Sequence, residues 1–162
     1  LYTRFRNGFF AFDSFEGLPN VKNFESQNKF FKSGELKTSI LDFKKIIKPF
    51  VKKRNLEIVE GFYVKSLTNT LINNYKKRKI KVSMINIDCD FNQSVKESLT
   101  FALQFIQNGT VLYIDDYYLS HKGHPLKGNP KIVKDLLKKF KIIYEPWHTC
   151  GSSRKSFLLY KK

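Results

Sequence analysis

The sequence predicts an α/β protein whose sheet is mostly parallel, carries an antiparallel hairpin at its C-terminal edge and is covered by helices on both faces. Three observations predict it. Short runs rich in β-branched and aromatic residues alternate with amphipathic stretches at helical spacing along the whole chain. The last two apolar runs face each other across Gly151-Ser152-Ser153, so they make an antiparallel pair rather than another crossover. Five of the seven aspartates fall within a few residues after a predicted strand, the end of a parallel sheet at which ligands bind.

Residues 8–12, "GFFAF", read as the first strand, and 13–36 as a long polar loop punctuated by glycine and proline. Thr38 or Ser39 caps a helix with Ile40, Leu41, Phe43, Ile46, Ile47, Phe50 and Val51 mostly at helical spacing, and Pro49 marks its end or a kink. "LEIVE", 56–60, is a short strand, followed by a helix over about 67–76 and the strand "IKVSMINI", 80–87. The segment 93–107 places Val95, Leu99, Ala102, Leu103 and Ile106 on one helical face, with Asn108-Gly109 as its C-cap. "TVLYI", 110–114, is again a strand. A loop with Gly123, Pro125 and Gly128 leads to a helix near 130–140 that Pro130 opens. "KIIYEPW" and "SFLLYK" are the hairpin strands.

With 162 residues and 41% hydrophobic content the chain can bury one sizeable core, so 1–162 is expected to be a single domain. The start enters a strand almost at once, which suggests truncation at the N-terminus. Thirty Lys and Arg against fourteen Asp and Glu give a net charge of +16. Twenty-five of those cations are lysines spread along the chain, and few arginines are left for bidentate phosphate contacts. The excess therefore reads as a solvated surface, and nucleic acid is not the expected partner. Cys89 and Cys150 lack metal-type spacing and no signal peptide precedes them, which predicts a reduced, cytoplasmic setting. No apolar run is long enough for a membrane span.

The acids hold the chemistry. Asp13 follows "FFAF", Asp88 and Asp90 follow "SMINI", and Asp115 and Asp116 follow "VLYI", whereas Asp42 and Asp135 lie in helices as solvated surface acids do. If the sheet is parallel, the five converge on one edge. Converging carboxylates repel one another unless a cation neutralises them, and hard oxygens on loops suit Mg²⁺, Ca²⁺ or Mn²⁺. A single aspartate after a strand can equally be a turn residue or a helix cap. Two doublets at neighbouring strand ends are harder to explain that way.

Four stretches, "FAFDSFEGLP" (10–19), "VEGFYVKSL" (59–67), "INIDCDFNQSVKESL" (85–99) and "NGTVLYIDDYY" (108–118), resemble the macrocin O-methyltransferase family in order and separation, over nearly the whole chain. The resemblance implies a Rossmann-like methyltransferase fold and S-adenosyl-L-methionine as cofactor. It places Asp13 on the cofactor ribose, Glu60 and Gly61 near the adenine, and Asp88, Asp115 and Asp116 on a divalent metal, Mg²⁺ or another hard cation. Its terminal hairpin matches the fold's antiparallel last strand. The acceptor it implies is a hydroxyl of a sugar or other small metabolite. A neutral hydroxyl is a poor nucleophile, so methyl transfer to it calls for a metal that orients the oxygen and a base that takes its proton. Asp90 is the candidate base, and its alternative roles are to share the metal or to cap the following helix.

The chain also departs from the family. No first strand and glycine-rich turn for the methionine part of the cofactor is present in these residues, Val64-Lys65-Ser66 stands where relatives carry an acid and threonine, and Phe91-Asn92 displaces a tyrosine. Two other functions compete. A nucleotide-sugar glycosyltransferase would use the D-x-D of Asp88 and Asp90 for Mn²⁺ and a diphosphate, but would leave "FDSFEGLP" and Asp115-Asp116 unexplained. A basic nucleic-acid-binding module would use Tyr117, Tyr118, His121, Lys122 and Lys127 as an aromatic-basic loop, which reads more simply as a lid whose tyrosines pack on substrate or core. His121, His124 and His148 have no helical pairing, Cys89 is expected to face the core, and Trp147 to pack at the core or sheet edge. Self-association is left open.

Overall fold

The computed structural model describes residues 8–20, 32–51 and 55–162. The predicted loop 13–36 lies partly outside them. The chain divides into two compact units, Leu1–Thr68 and Asn69–Lys162.

The first unit is built on two parallel strands, β1 (Phe9–Asp13) and β2 (Leu56–Glu60), in register from Phe9 opposite Leu56 to Asp13 opposite Glu60. Between them in sequence runs α1 (Ile40–Ile47). Ser39 is its N-cap: the hydroxyl accepts from the Asp42 amide at 3.1 Å and donates to the Asp42 carboxylate at 2.7 Å. The helix gives way to a turn over 48–50, as Pro49 predicts. After β2 comes the single-turn helix α2 (Tyr63–Ser66), whose Tyr63 hydroxyl donates to the Phe12 carbonyl of β1 at 3.1 Å.

The second unit contains α3 (Asn69–Lys77), β3 (Val82–Ile87), α4 (Asn92–Ala102), β4 (Ile106–Ile114), α5 (Gly128–Lys139), β5 (Ile142–Cys150) and β6 (Arg154–Lys161). Its sheet has the order β3-β4-β6-β5. The β3–β4 pair is parallel, with α4 as the crossover, and both β4–β6 and β5–β6 are antiparallel. This is the α/β architecture with a C-terminal hairpin that the sequence predicts. Alternation along the strands sets the core: Ile85, Ile87, Leu112, Ile114, Phe157 and Leu159 are buried, against Val95, Leu99 and Leu103 from the α4 side and Val133, Leu136 and Leu137 from α5. Cys89 packs against this cluster, as expected of a small apolar residue. Tyr75 of α3 meets Phe101 and Phe105 with ring centres 5.9 and 5.7 Å apart, which ties α3 to the end of α4.

The helix expected over about 67–76 is α3, which begins at Asn69 and ends at Lys77, and a separate helical turn at 63–66 precedes it. One expectation is corrected. The helix expected to end at Asn108-Gly109 stops at Ala102, continues as one 3₁₀ turn over Leu103–Phe105, and gives way to strand at Ile106. Asn108 and Gly109 are instead the tip of an excursion within β4. Val82 pairs with Ile106 and Met84 with Val111, so the β3–β4 register shifts across residues 107–110, although Thr110 stays paired with Leu159 of β6. The turn needs a left-handed residue, and Gly109 supplies it at φ +80°. Buried Thr110 holds the excursion closed: its hydroxyl accepts from the Gln107 amide at 2.9 Å and reaches the Val82 carbonyl of β3 at 2.7 Å.

At the other side of the sheet, β5 is the edge strand. Its ladder to β6 shifts between Pro146 and Thr149, and Trp147 stands half exposed there with its ring against His148. Trp147 is thus an edge-strand residue and not part of the core. No helix among the described residues is long and apolar enough to cross a membrane.

Candidate active site

The ladder itself brings two acids together. Ile87 and Ile114 are partners at the ends of β3 and β4, and the Asp115 amide donates to the Ile87 carbonyl at 3.0 Å, one rung beyond. Asp88 and Asp115 therefore leave adjacent strand ends side by side, and Asp116 follows directly. One oxygen from each of Asp88, Asp115 and Asp116 lies within 4.8 Å of the others. Asp90 lies outside that set. The residue in the N-cap position of α4 is Phe91, without a side-chain cap bond, so neither Asp90 nor Asn92 caps the helix.

Several neighbours hold this cluster. Asn129, buried in the first turn of α5, donates its Nδ2 to the Asp116 carbonyl at 2.9 Å, while its Oδ1 has no hydrogen-bond partner among the described residues. The Tyr113 hydroxyl donates to Asp115 Oδ1 at 3.2 Å, and Arg154 Nε lies 2.6 Å from the same oxygen. The Tyr118 amide donates to the Ser153 carbonyl at 2.9 Å, which ties the chain after the doublet to the β5–β6 turn. Tyr117 is buried in the core and meets Tyr118 edge-on at 4.7 Å between ring centres. Lys155 lies over both rings and donates to the Tyr118 hydroxyl at 3.2 Å. The two tyrosines are thus committed to core and lysine packing.

The electrostatics follow from crowding. Partial burial pushes the Asp116 carboxyl up to about 6, and the charges of Asp90, Asp115 and Asp88 add to the rise against the opposing pull of Arg154. Asp88 is raised for the same reasons, burial first and then the Asp115 and Asp90 charges. A set of hard, partly desolvated oxygens with one cationic neighbour fits a divalent ion of the Mg²⁺ class better than a soft one.

This crowding has a measurable sign. The folded protein holds the Asp116 proton more tightly than the unfolded chain, whose value is near 3.8. Between those values the native state binds more protons, so stability falls as pH rises. In chelator-treated protein the Tm difference between wild type and Asp116→Asn is expected to move against wild type as pH goes from ~4 to ~7. A difference that stays flat across that range contradicts the crowded cluster.

The remaining predicted residues are in the first unit. Asp13 ends β1 and Glu60 ends β2, both exposed and opposite each other in the ladder. The Gly61 amide donates to the Asp13 carbonyl at 2.9 Å. Gly61 adopts φ +119°, a conformation that a side chain would strain, although a Cβ there would meet only Ser66 at an ordinary 3.5 Å. Asp13 Oδ1 accepts from the Phe15 amide at 2.6 Å, an interaction that fixes the carboxylate.

Sequence reading missed Arg154, Tyr113 and Asn129. The antiparallel partnering of β4 with β6, which sets Ile114 opposite Lys155, is the signal that finds Arg154, because the next rung puts it against Asp115.

The fold defined by these elements is that of the Rossmann-like methyltransferases. The O-methyltransferase NovP superposes with a TM-score of 0.72 at 17% identity, over 94% of this chain and 60% of that one. CalS11, the calicheamicin methyltransferase, superposes with 0.66 at 15% identity, over 92% and 59%. The chain thus spans about three fifths of the length of either structure. No protein-family model and no curated protein sequence matches it.

Proposed function

We propose that the chain is part of an S-adenosyl-L-methionine-dependent O-methyltransferase of the macrocin type, assisted by a divalent metal and acting on a hydroxyl of a sugar or other small metabolite. The observation that carries the reading is the set of three carboxylates, Asp88, Asp115 and Asp116, with oxygens within 4.8 Å at neighbouring strand ends of a methyltransferase fold. Those three residues would hold Mg²⁺ or a similar hard ion. When bound, the ion orients the acceptor oxygen and makes its proton more acidic. Asp90 would take that proton: its charge acts on both Asp88 and Asp116, yet it stays outside their cluster and caps no helix. Asp13 would accept hydrogen bonds from the ribose hydroxyls through the carboxylate that the Phe15 amide fixes. Glu60 and Gly61 would lie along the adenine, with the glycine allowing close approach of the backbone. The basic surface is read as solvated, with a small-molecule acceptor as partner and a cytoplasmic setting.

Calorimetric titration tests the cofactor half. S-adenosylhomocysteine should give saturable heat, and Asp13→Ala should weaken it by roughly ten- to a hundred-fold, the loss of about 1.5–3 kcal/mol that hydrogen bonds to a charged group contribute. Saturable binding of a nucleoside diphosphate with Mn²⁺, and none of S-adenosylhomocysteine, would replace this reading with the glycosyltransferase one.

A further inference from the structure

Arg154 is one of five arginines in a chain with twenty-five lysines, and although exposed it stands against the carboxylate cluster. It opens β6, and the ladder that pairs Ile114 with Lys155 puts it against Asp115 across two antiparallel strands. Its Nε is 2.6 Å from Asp115 Oδ1, the oxygen that also accepts from the Tyr113 hydroxyl at 3.2 Å. Among the described residues it is the cation whose charge opposes the rise in both Asp88 and Asp116. The guanidinium is half exposed, so it can swing away from the carboxylate at little cost.

We propose that Arg154 is a built-in competitor of the divalent ion: it neutralises the carboxylate cluster when the ion is absent, and it must release or turn from Asp115 Oδ1 when the ion binds. The inference rests on the metal reading of Asp88, Asp115 and Asp116. The chemistry is direct. Both lone pairs of Asp115 Oδ1 are engaged by N–H and O–H donors, so a cation gains full use of that carboxylate only by displacing one of them. A guanidinium held beside the cluster also repels a second positive charge. The two equilibria are therefore linked, and each partner weakens the other by the same factor. Arg154 thereby sets the ion concentration at which the site fills. Since the opposing charge is anchored by strand register, that threshold is a property of the fold rather than of a mobile loop.

The test is calorimetric titration of MgCl₂ into the full chain at low ionic strength, with wild type, Arg154→Gln, Arg154→Lys and Asp116→Asn. Arg154→Gln should bind Mg²⁺ more tightly by on the order of ten-fold, within the range usual for coupled sites. Arg154→Lys keeps the charge and should stay closer to wild type. Equal or weaker binding by Arg154→Gln overturns the competition while leaving the metal site standing. Saturable Mg²⁺ heat in neither wild type nor Arg154→Gln, or undiminished binding by Asp116→Asn, removes the metal site and the competition with it. A second measurement needs no variant to bind: in ¹⁵N-labelled wild type, the Arg154 Nε–Hε resonance, assigned by its absence from Arg154→Gln, should shift along the Mg²⁺ titration with the calorimetric midpoint. A resonance that stays fixed while Mg²⁺ saturates overturns the proposal.

Discussion

Asp115→Ala is expected to abolish the Mg²⁺-dependent rise in thermal stability. A ligand that binds only the folded state stabilises it by mass action, about 2.7 kcal/mol at a concentration one hundred times its dissociation constant. Asp115 is the member of the cluster placed by the last rung of the β3–β4 ladder, and its loss leaves two of the three carboxylates. The same substitution removes one of the charges that crowd Asp88 and Asp116, and its other contacts are a half-exposed arginine and a tyrosine hydroxyl. The chelated variant should therefore melt no lower than chelated wild type, which separates lost ion binding from lost folding. Asp90→Asn, outside the cluster, should keep the Mg²⁺ response. A full response in Asp115→Ala takes that residue out of the site, and a lost response in Asp90→Asn makes Asp90 a ligand.

Leu112→Ala should be the most costly single change in the second unit. Leu112 is fully buried at the centre of β4, paired with Ile85 on one side and Phe157 on the other. Truncating a buried leucine loses transfer free energy and leaves a cavity, together about 2–5 kcal/mol. For a unit of this size that lowers Tm by about 8 °C or more, since each kcal/mol shifts it by about 4–8 °C. Leu126→Ala, at an exposed loop leucine, should change stability by less than about 0.5 kcal/mol. A small effect at Leu112 in chemical denaturation would mean that the β3-β4-β6 core is not packed as described.

Much of the fold was legible because hydrophobic alternation and cap chemistry are local. Ser39 caps α1, and the strands near 9–13, 56–60, 82–87 and 110–114 lie where the apolar runs put them. The proximity of Asp88, Asp115 and Asp116 was legible too, because a parallel pair with aligned ends must bring its trailing residues together. What failed was a conflict between two uses of one signal. Asn-Gly ends helices and also makes tight turns, and here a buried Thr110 bonded to Val82 gave the turn to the strand. Arg154 and Asn129 were hidden for another reason. Arg154 was one cation among thirty, and Asn129 lay unremarked between Gly128 of the loop and Pro130, the residue that opens the helix. Only the pairing of β6 with β4, and the docking of the first turn of α5 under Asp116, give them partners.

The shift in β5 matters for more than local geometry. A strand open on one side offers its peptide groups to any other extended chain, and in a crowded cell that is a route to aggregation. At this margin Pro146 has no amide hydrogen to donate, the break between Pro146 and Thr149 interrupts the straight run of hydrogen-bonding groups, and Glu145 adds a charge beside them. Together these make the margin a poor template for intermolecular strand addition. Straightening it, by removing the proline and the irregularity together, would set the already exposed Ile143 and Trp147 along a continuous extended edge and favour fibrous self-association.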